Sequence, residues 1–554
     1  MGLDYGTLSC RALLVRVDNG QIAAESEYVY PHGVMDKTLP DGTALPAEWA
    51  LEHPQDHLDA LLYLIPELMD SSGVTSEQVA GIGIDSTAST VMALDKDLMP
   101  LCFDSELQHH PHGWTKLWKH HAAGEYARRL TETAKIRCPE SLKKYGGMIG
   151  AESLLAKVIE TCVSDPEVYD RTYCFMELGD WITSLLTGCV TAAGPLLTCK
   201  AMWDPEKGYP DREFLASAAP EAENASEKLA ASMPGVHIAW PGEEIGTLCP
   251  EMAEKLGLRA GTPVSAAQMD GYAGFPGSGA GEGNELLMMI GTSTAFIIMD
   301  REQRDVPGVC NAVKNSNLSG FVNYAAGQGC VGDMLAWFIN NSVPGDYGRK
   351  AAELGMGLHE YLSALAEKKK PGETGLLALD WFNGNKSCLA DPELSGMILG
   401  MDIYTRPEDI YRCLIEGSAF GARKIIENYE EYGVRVDSIT ACGGIARKNP
   451  FIMQIYSDVI GRPISAVDCP QAGALGSAVF AAAAAGIHPT VTDAIRAMAD
   501  HPVCIYRPNA ENRAVYESLY SDYMRLHDWF GVENRDVMHR MKKFRAGTER
   551  KEKT

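Results

Sequence analysis

Positive charge is what this chain has least of: 49 Lys and Arg stand against 74 Asp and Glu, a formal charge of −25 over 554 residues. Nucleic acid and anionic membranes both need a basic face, so neither is a main partner. An anionic small molecule stays open, because backbone amides and a metal can hold one locally. Long apolar runs are lacking as well, and the Ala-rich stretch from Ala478 to Ala485 is far too short to span a bilayer. No C-x-x-C pair occurs among the 15 cysteines, which are odd in number and scattered. That excludes a zinc knuckle and a disulfide framework and points to the reducing cytoplasm. No secretory leader opens the sequence. A start only three residues before Asp4 predicts that N-terminal residues are missing.

What is present is ordinary for a globular protein, 45% hydrophobic and 22% charged. The length is too great for one core and predicts two domains of roughly 240 residues and an appendage. Near the start, Leu3-Asp4-Tyr5-Gly6-Thr7-Leu8-Ser9-Cys10-Arg11 passes into an apolar alternation over 12–17. This reads as strand, tight Gly turn and strand, and such a turn either cradles phosphate oxygens or simply closes a hairpin. Gly6 permits close backbone approach, Thr7 and Ser9 add donors, and Asp4 at a strand end suits a hydrated Mg2+. The pattern returns over 286–298, with Gly291-Thr292-Ser293-Thr294 at its turn. Two such hairpins, each near the start of its own half, predict a duplicated domain with a nucleotide between the copies.

Between them, apolar spacing predicts a helix over 49–69 broken at Pro66. A strand over 79–84 ends in Asp85-Ser86-Thr87-Ala88, a candidate substrate wall at a strand's carboxyl end or a polar loop cap. The histidines at 109, 110, 112, 120 and 121 lack acid or Cys partners at a ligand spacing. They read as a loop entering a helix beside the cleft, with Trp118 and Lys119 able to line it. A compact helix over 177–186 ends at Gly188. Lys200, among small and apolar residues, is a snorkelling surface residue or a donor to a polyol. Over 263–274 a strand runs into Asp270 at a Gly-rich helix start, where a carboxylate takes a proton from a substrate hydroxyl or caps the helix. A long helix covers 407–432. Gly443-Gly444 follows another strand and offers bare backbone to an adenine or ribose. The Ala/Gly helix from Gln471 reads as packing, and the tail from Pro489 as helical with a frayed basic end.

Taken together, Asp4-x-Gly6-Thr7, Asp270, Gly291-Thr292-Ser293 and Gly443-Gly444 stand in the order and spacing of the FGGY carbohydrate kinases. So do the stretches DGTALPAEWALEHPQDHL, GIDSTAST, LWKHHAA, ALDWFNGN and GGIARKN, and the chain resembles that family over nearly its whole length. The resemblance implies an α/β fold of two actin-like (RNase H-like) ATPase domains with an interdomain cleft. Domains are expected over 1–250 and 251–488, with a helical appendage over 489–554. It implies transfer of the ATP γ-phosphoryl group to the terminal hydroxyl, O5, of a ketopentose, L-ribulose first. D-ribulose, xylulose or a pentitol are neighbouring alternatives, and an actin-like ATPase that takes no sugar is one of another class. In the implied site Asp270 deprotonates the hydroxyl, Asp85, Ala88 and Lys200 hold the sugar, and Asp4 holds Mg2+ through water. Gly6, Thr7, Ser9, Arg11, Gly291, Thr292 and Ser293 take the phosphates, and Gly443, Gly444, Ala446 and Asn449 the adenosine. A cytoplasmic dimer is implied too. One position departs from the pattern: the acid expected before Ala-Gly-Gln is Ala325. A lost acceptor forfeits about 0.5 to 3 kcal/mol, enough to change which pentulose is preferred.

Overall fold

Each of the two hairpins opens a sheet. In the computed structural model, which describes residues 1–231, 233 and 235–552, with side chains to 545, the first sheet comprises five strands. They are β1 (Gly2–Tyr5), β2 (Ser9–Val15), β3 (Ile22–Val29), β4 (Gly83–Ser86) and β5 (Gln268–Met269), in the order β5-β4-β1-β2-β3. The second contains β6 (Glu285–Ile290), β7 (Thr294–Asp300), β8 (Asn311–Lys314), β9 (Val322–Gln328), β10 (Ser438–Cys442), β11 (Ile464–Val467) and β12 (Val503–Tyr506). Its order is β8-β9-β7-β6-β10-β11-β12. Both sheets join an antiparallel meander to two parallel strands, so β5-β4-β1-β2-β3 is matched by β11-β10-β6-β7-β9. This is the duplication predicted from the repeated hairpin. Because β5 pairs with β4, the first sheet reaches past residue 250, where the sequence divides the domains.

Each sheet has its own apolar core. Leu3, Leu13, Leu64, Ile84 and Trp181 lie in the first, and Leu286, Ile298, Tyr324, Phe420 and Tyr456 in the second. The helix Pro54–Ser72 packs on β2 and β3 and runs through Pro66 rather than breaking there. The lost hydrogen bond and ring clash cost about 3 kcal/mol. Burial of Ala60, Leu61, Leu64, Ile65 and Leu68 outweighs that, at roughly 1.5 to 3 kcal/mol for each large side chain. The helices Leu178–Thr187, closed by Gly188 at φ 72°, and Pro407–Glu431 follow their expected spans.

The helix Ala472–Ala484 belongs to the second half of the sequence yet packs on β1, β4 and the helix Asp270–Gly277. Small residues make this approach feasible: a Cβ on Gly83 would lie 1.9 Å from the carbonyl oxygen of Ser477, and one on Gly277 1.8 Å from that of Ala472. The tail forms helices Val491–Met498, Ala510–Asp528 and Asp536–Glu552, and buries Tyr516, Tyr520 and Tyr523 in the second core. The end of the basic segment expected to fray, at 553 and 554, lies outside the described residues. Among the described residues no helix is long and apolar enough to cross a membrane.

Candidate active site

The first turn is closed by the Gly6 N–H on the Ser9 carbonyl at 3.0 Å, the second by the Gly291 N–H on the Ser293 carbonyl at 2.9 Å. The second is seated on a helix start, where the N–H groups of Gly332 and Val331 donate to Gly291 and Thr292 at 3.0 and 2.8 Å. Gly6 does not adopt a positive φ; a Cβ there would come within 3.2 Å of the Ser9 carbonyl, so close approach explains the glycine. At the third turn Gly443 has φ 97° and lies on the Ile290 carbonyl, while a Cβ on Gly444 would meet nothing within 4 Å. Gly444 is thus bare backbone facing open space, as a flat ligand requires.

Register brings the acids together. Asp4 of β1 pairs with Asp85 of β4, and β5 delivers Asp270 immediately after Met269 beside the same strand. Asp85 is fully buried, and its Oδ2 accepts a 2.6 Å hydrogen bond from Ser477. Burial first, then the charge of Asp4, holds its carboxyl well above the usual range; Asp4 is raised by its enclosed position. Asp85 is thus fully buried and engaged by Ser477 beside Asp4, away from the exposed substrate wall on which the sequence placed it. A Cβ on Gly473 would lie 2.8 Å from Asp4 Oδ2. The helix Ala472–Ala484 therefore abuts both carboxylates and does more than pack. Asp270 is exposed to the cleft and otherwise surrounded by protein. Those surroundings, and then Asp4, push it up to about 6, and Lys200 and Lys386 oppose the rise. Asp4, half-buried at the end of β1, is the carboxylate here that fits a hydrated cation, whose charge would favour its ionised form.

Over 81–94 Ala88 alone is not fully buried, so the wall offers the cleft this residue, beside Ser89 at φ 65°. Lys200 ends the helix Gly194–Lys200 with its ammonium 3.9 Å from Glu152. Trp118 is 44% exposed, and its indole N–H donates to Thr7 Oγ1 at 3.0 Å, which closes the first turn from the side.

Other expected site residues are engaged elsewhere. Ser9 Oγ and Arg11 Nε both donate to Glu27 Oε1 of β3, at 2.7 and 3.0 Å. Ala446 is buried in the second core. Asn449 accepts from Ile452 N–H as a helix cap and donates to Ser363 Oγ at 2.9 Å. Of the histidines, His112 and His120 are buried edge-on against Trp49, and His120 reaches Glu160 at 3.0 Å. His109 pairs with Asp41, and His110 with Asp165. Sequence reasoning missed Glu152, Ser477 and Lys386. The last directly follows the quoted stretch ALDWFNGN, the one local signal that could have marked it.

The chain matches the N-terminal domain model of the FGGY family of carbohydrate kinases over residues 1–277 and the C-terminal domain model over 286–485. It is similar to a ribulokinase of Shouchella clausii, 40% identical over 99% of this chain and 98% of that protein. A ribulokinase of Anoxybacillus flavithermus is 42% identical over 98% of this chain and 96% of that protein. Among solved structures, a xylulose kinase from Rhodospirillum rubrum shares the fold, with a TM-score of 0.78 at 22% identity over 97% of this chain and 99% of its own. With paired glycine turns and three acids around one cleft, and with both domain models matched in order, the chain belongs to the FGGY family of carbohydrate kinases.

Proposed function

We propose that this protein transfers the γ-phosphoryl group of ATP to O5 of a ketopentose, with L-ribulose as the preferred acceptor. The observation that carries the reading is Asp270, a carboxylate open to the cleft with its proton affinity tuned to about 6. A base near neutrality is ionised in the cell yet still accepts a proton as the hydroxyl attacks. The names of the full-length relatives support ribulose as the sugar.

The residues divide the work. Asp270 orients the attacking hydroxyl and takes its proton. The amides of the turns at Gly6 and Gly291 receive phosphate oxygens, and Gly444 leaves a flat surface for the base or ribose. Asp4 would hold Mg2+, with buried Asp85 and its Ser477 partner fixing its direction; the ion, when bound, neutralises charge on the phosphates. Ala88 and Lys200 meet the sugar. The lobes close over the pair of substrates and exclude water, which would otherwise be the acceptor. The family resemblance carries a cytoplasmic dimer as part of the same reading.

A second acceptor is favoured by one observation: Ala325, on the β9 face that packs toward the first core, supplies no hydrogen-bond acceptor. An ADP-release assay with L-ribulose, D-ribulose, the xyluloses and pentitols decides between them. Highest kcat/KM on L-ribulose is expected. Equal turnover of all would reject the sugar assignment, and ADP release with none of them the whole reading.

A further inference from the structure

Lys386 is a cation that the reaction described above leaves without work. It lies in the loop between the short strands Leu377–Leu379 and Met397–Leu399, exposed, in a segment held firmly by its neighbours. Ser387 Oγ accepts the Gly327 N–H at 3.2 Å and lies 3.8 Å from Cys310 Sγ, and Asn385 Oδ1 accepts the Leu389 N–H at 3.0 Å. The side chain of Lys386 runs across β9: a Cβ on Gly327 would meet its Cδ at 3.2 Å and its Cε at 3.6 Å. Residues two apart on a strand share a face, so this is also the face of Ala325. Tyr324 and Ala326, on the opposite face, belong to the second core, whereas Ala325 packs toward the first. The lysine stem therefore lies on the cleft side of the second lobe.

Its ammonium is within electrostatic reach of Glu152 and Asp270, which the first lobe presents, and of Cys310 on its own lobe. Asp270 and Glu152 in turn feel both Lys200 and Lys386. Among the described residues no carboxylate comes within 4.0 Å of the Lys386 ammonium. The sugar end of the cleft is thus bounded by Lys200 and Glu152 on one side and by an unpaired Lys386 beside Ala325 on the other.

Resting on the substrate reading above, we infer that Lys386 binds the sugar directly and determines which ketopentose is accepted. A lysine ammonium is a donor only, and Ala325 offers the sugar nothing polar. The sugar oxygen facing β9 must then accept a hydrogen bond from Lys386, and epimers that turn this oxygen away lose the contact. An acid at position 325 would pair with the ammonium and cancel that preference. Closure would bring Lys386 and Lys200 onto the sugar from opposite lobes, beside the reacting hydroxyl.

The test compares wild type with Lys386→Met, Lys386→Arg and Ala325→Glu on L-ribulose, D-ribulose, L-xylulose and D-xylulose. For Lys386→Met the expected result is a rise of tenfold or more in KM for the preferred sugar, kcat within about threefold, an unaltered KM for ATP, and flattened selectivity among the four. Lys386→Arg should restore most of the selectivity, and Ala325→Glu, which engages the ammonium, should flatten it as Lys386→Met does. The acid limb of the kcat/KM profile should also shift upward in Lys386→Met, because a cation that holds Asp270 down has gone. Wild type active with Lys386→Met inside twofold in every KM overturns the inference alone. So does a rise confined to the KM for ATP, or an equal loss on all four sugars that Lys386→Arg does not restore. Wild type inactive on all four overturns the substrate reading and this inference with it.

Discussion

At the first glycine turn Asp4 stands two residues before Gly6 and pairs across the sheet with Asp85; at the second, Met289 stands two before Gly291 and pairs with Cys442. One strand frame thus carries two carboxylates on one side of the cleft and a thioether and a thiol on the other. What the sides share is backbone: a glycine N–H closing a short turn onto a carbonyl, at 3.0 and 2.9 Å. The shared part offers backbone amides, a kind of donor that suits phosphate oxygens whatever the side chains. The part that differs gives the first lobe the ionisable groups. Meanwhile the second lobe presents bare peptide at Gly444.

The most severe way to break this asymmetry is to remove the acid proposed to take the proton. Asp270→Asn should lower kcat about 10²- to 10⁴-fold while leaving ATP binding intact, as measured by turnover beside nucleotide titration. Titration should reproduce the loss more gently. Because the ionised carboxylate is the base and its pKa is raised to about 6, kcat/KM should fall roughly tenfold per pH unit below that value and level off above it. On the second lobe the matching experiment is Gly444→Val. The added side chain enters open space that the nucleotide needs, so the KM for ATP should rise about tenfold, near 1.4 kcal/mol, with no change in thermal stability. An unchanged KM would remove that turn from the nucleotide site. The smallest effect is structural: Ser477→Ala takes the 2.6 Å donor from buried Asp85 and should cost about 1 to 3 kcal/mol in denaturant unfolding. Cys442, in the equivalent register, is a buried thiol rather than a hydrogen-bonded carboxyl, so Cys442→Ala should cost less.

Strand periodicity and glycine placement made both hairpins legible, since alternation over 12–17 and 286–298 is a local property. Asp270 was legible for the same reason, as an acid at the junction of a strand and a helix. Ser9 and Arg11 were not, because the residue that engages them, Glu27, lies on a neighbouring strand whose register no spacing reveals. Asn449 was read toward the nucleotide although its own helix needed a cap. Pro66 was read as a break because the apolar face that carries the helix through it is repaid only by tertiary packing. Glu152 gave no local signal and Lys386 only its place after ALDWFNGN; a lysine and a glutamate in loops look like solvated surface until two lobes face each other.

Within the chain itself were written the duplication, the three glycine turns and the kinds of side chain available to the cleft, because these depend on residues a few positions apart. Which carboxylate meets which was decided by the fold. Residues 4, 85, 270 and 477 lie far apart in the chain, and only sheet register and the close passage of the helix Ala472–Ala484 bring them within a hydrogen bond or a Coulomb interaction of one another. Proton affinity follows from that enclosure, so an aspartate that is ordinary in sequence acquires its raised pKa only after its surroundings have assembled.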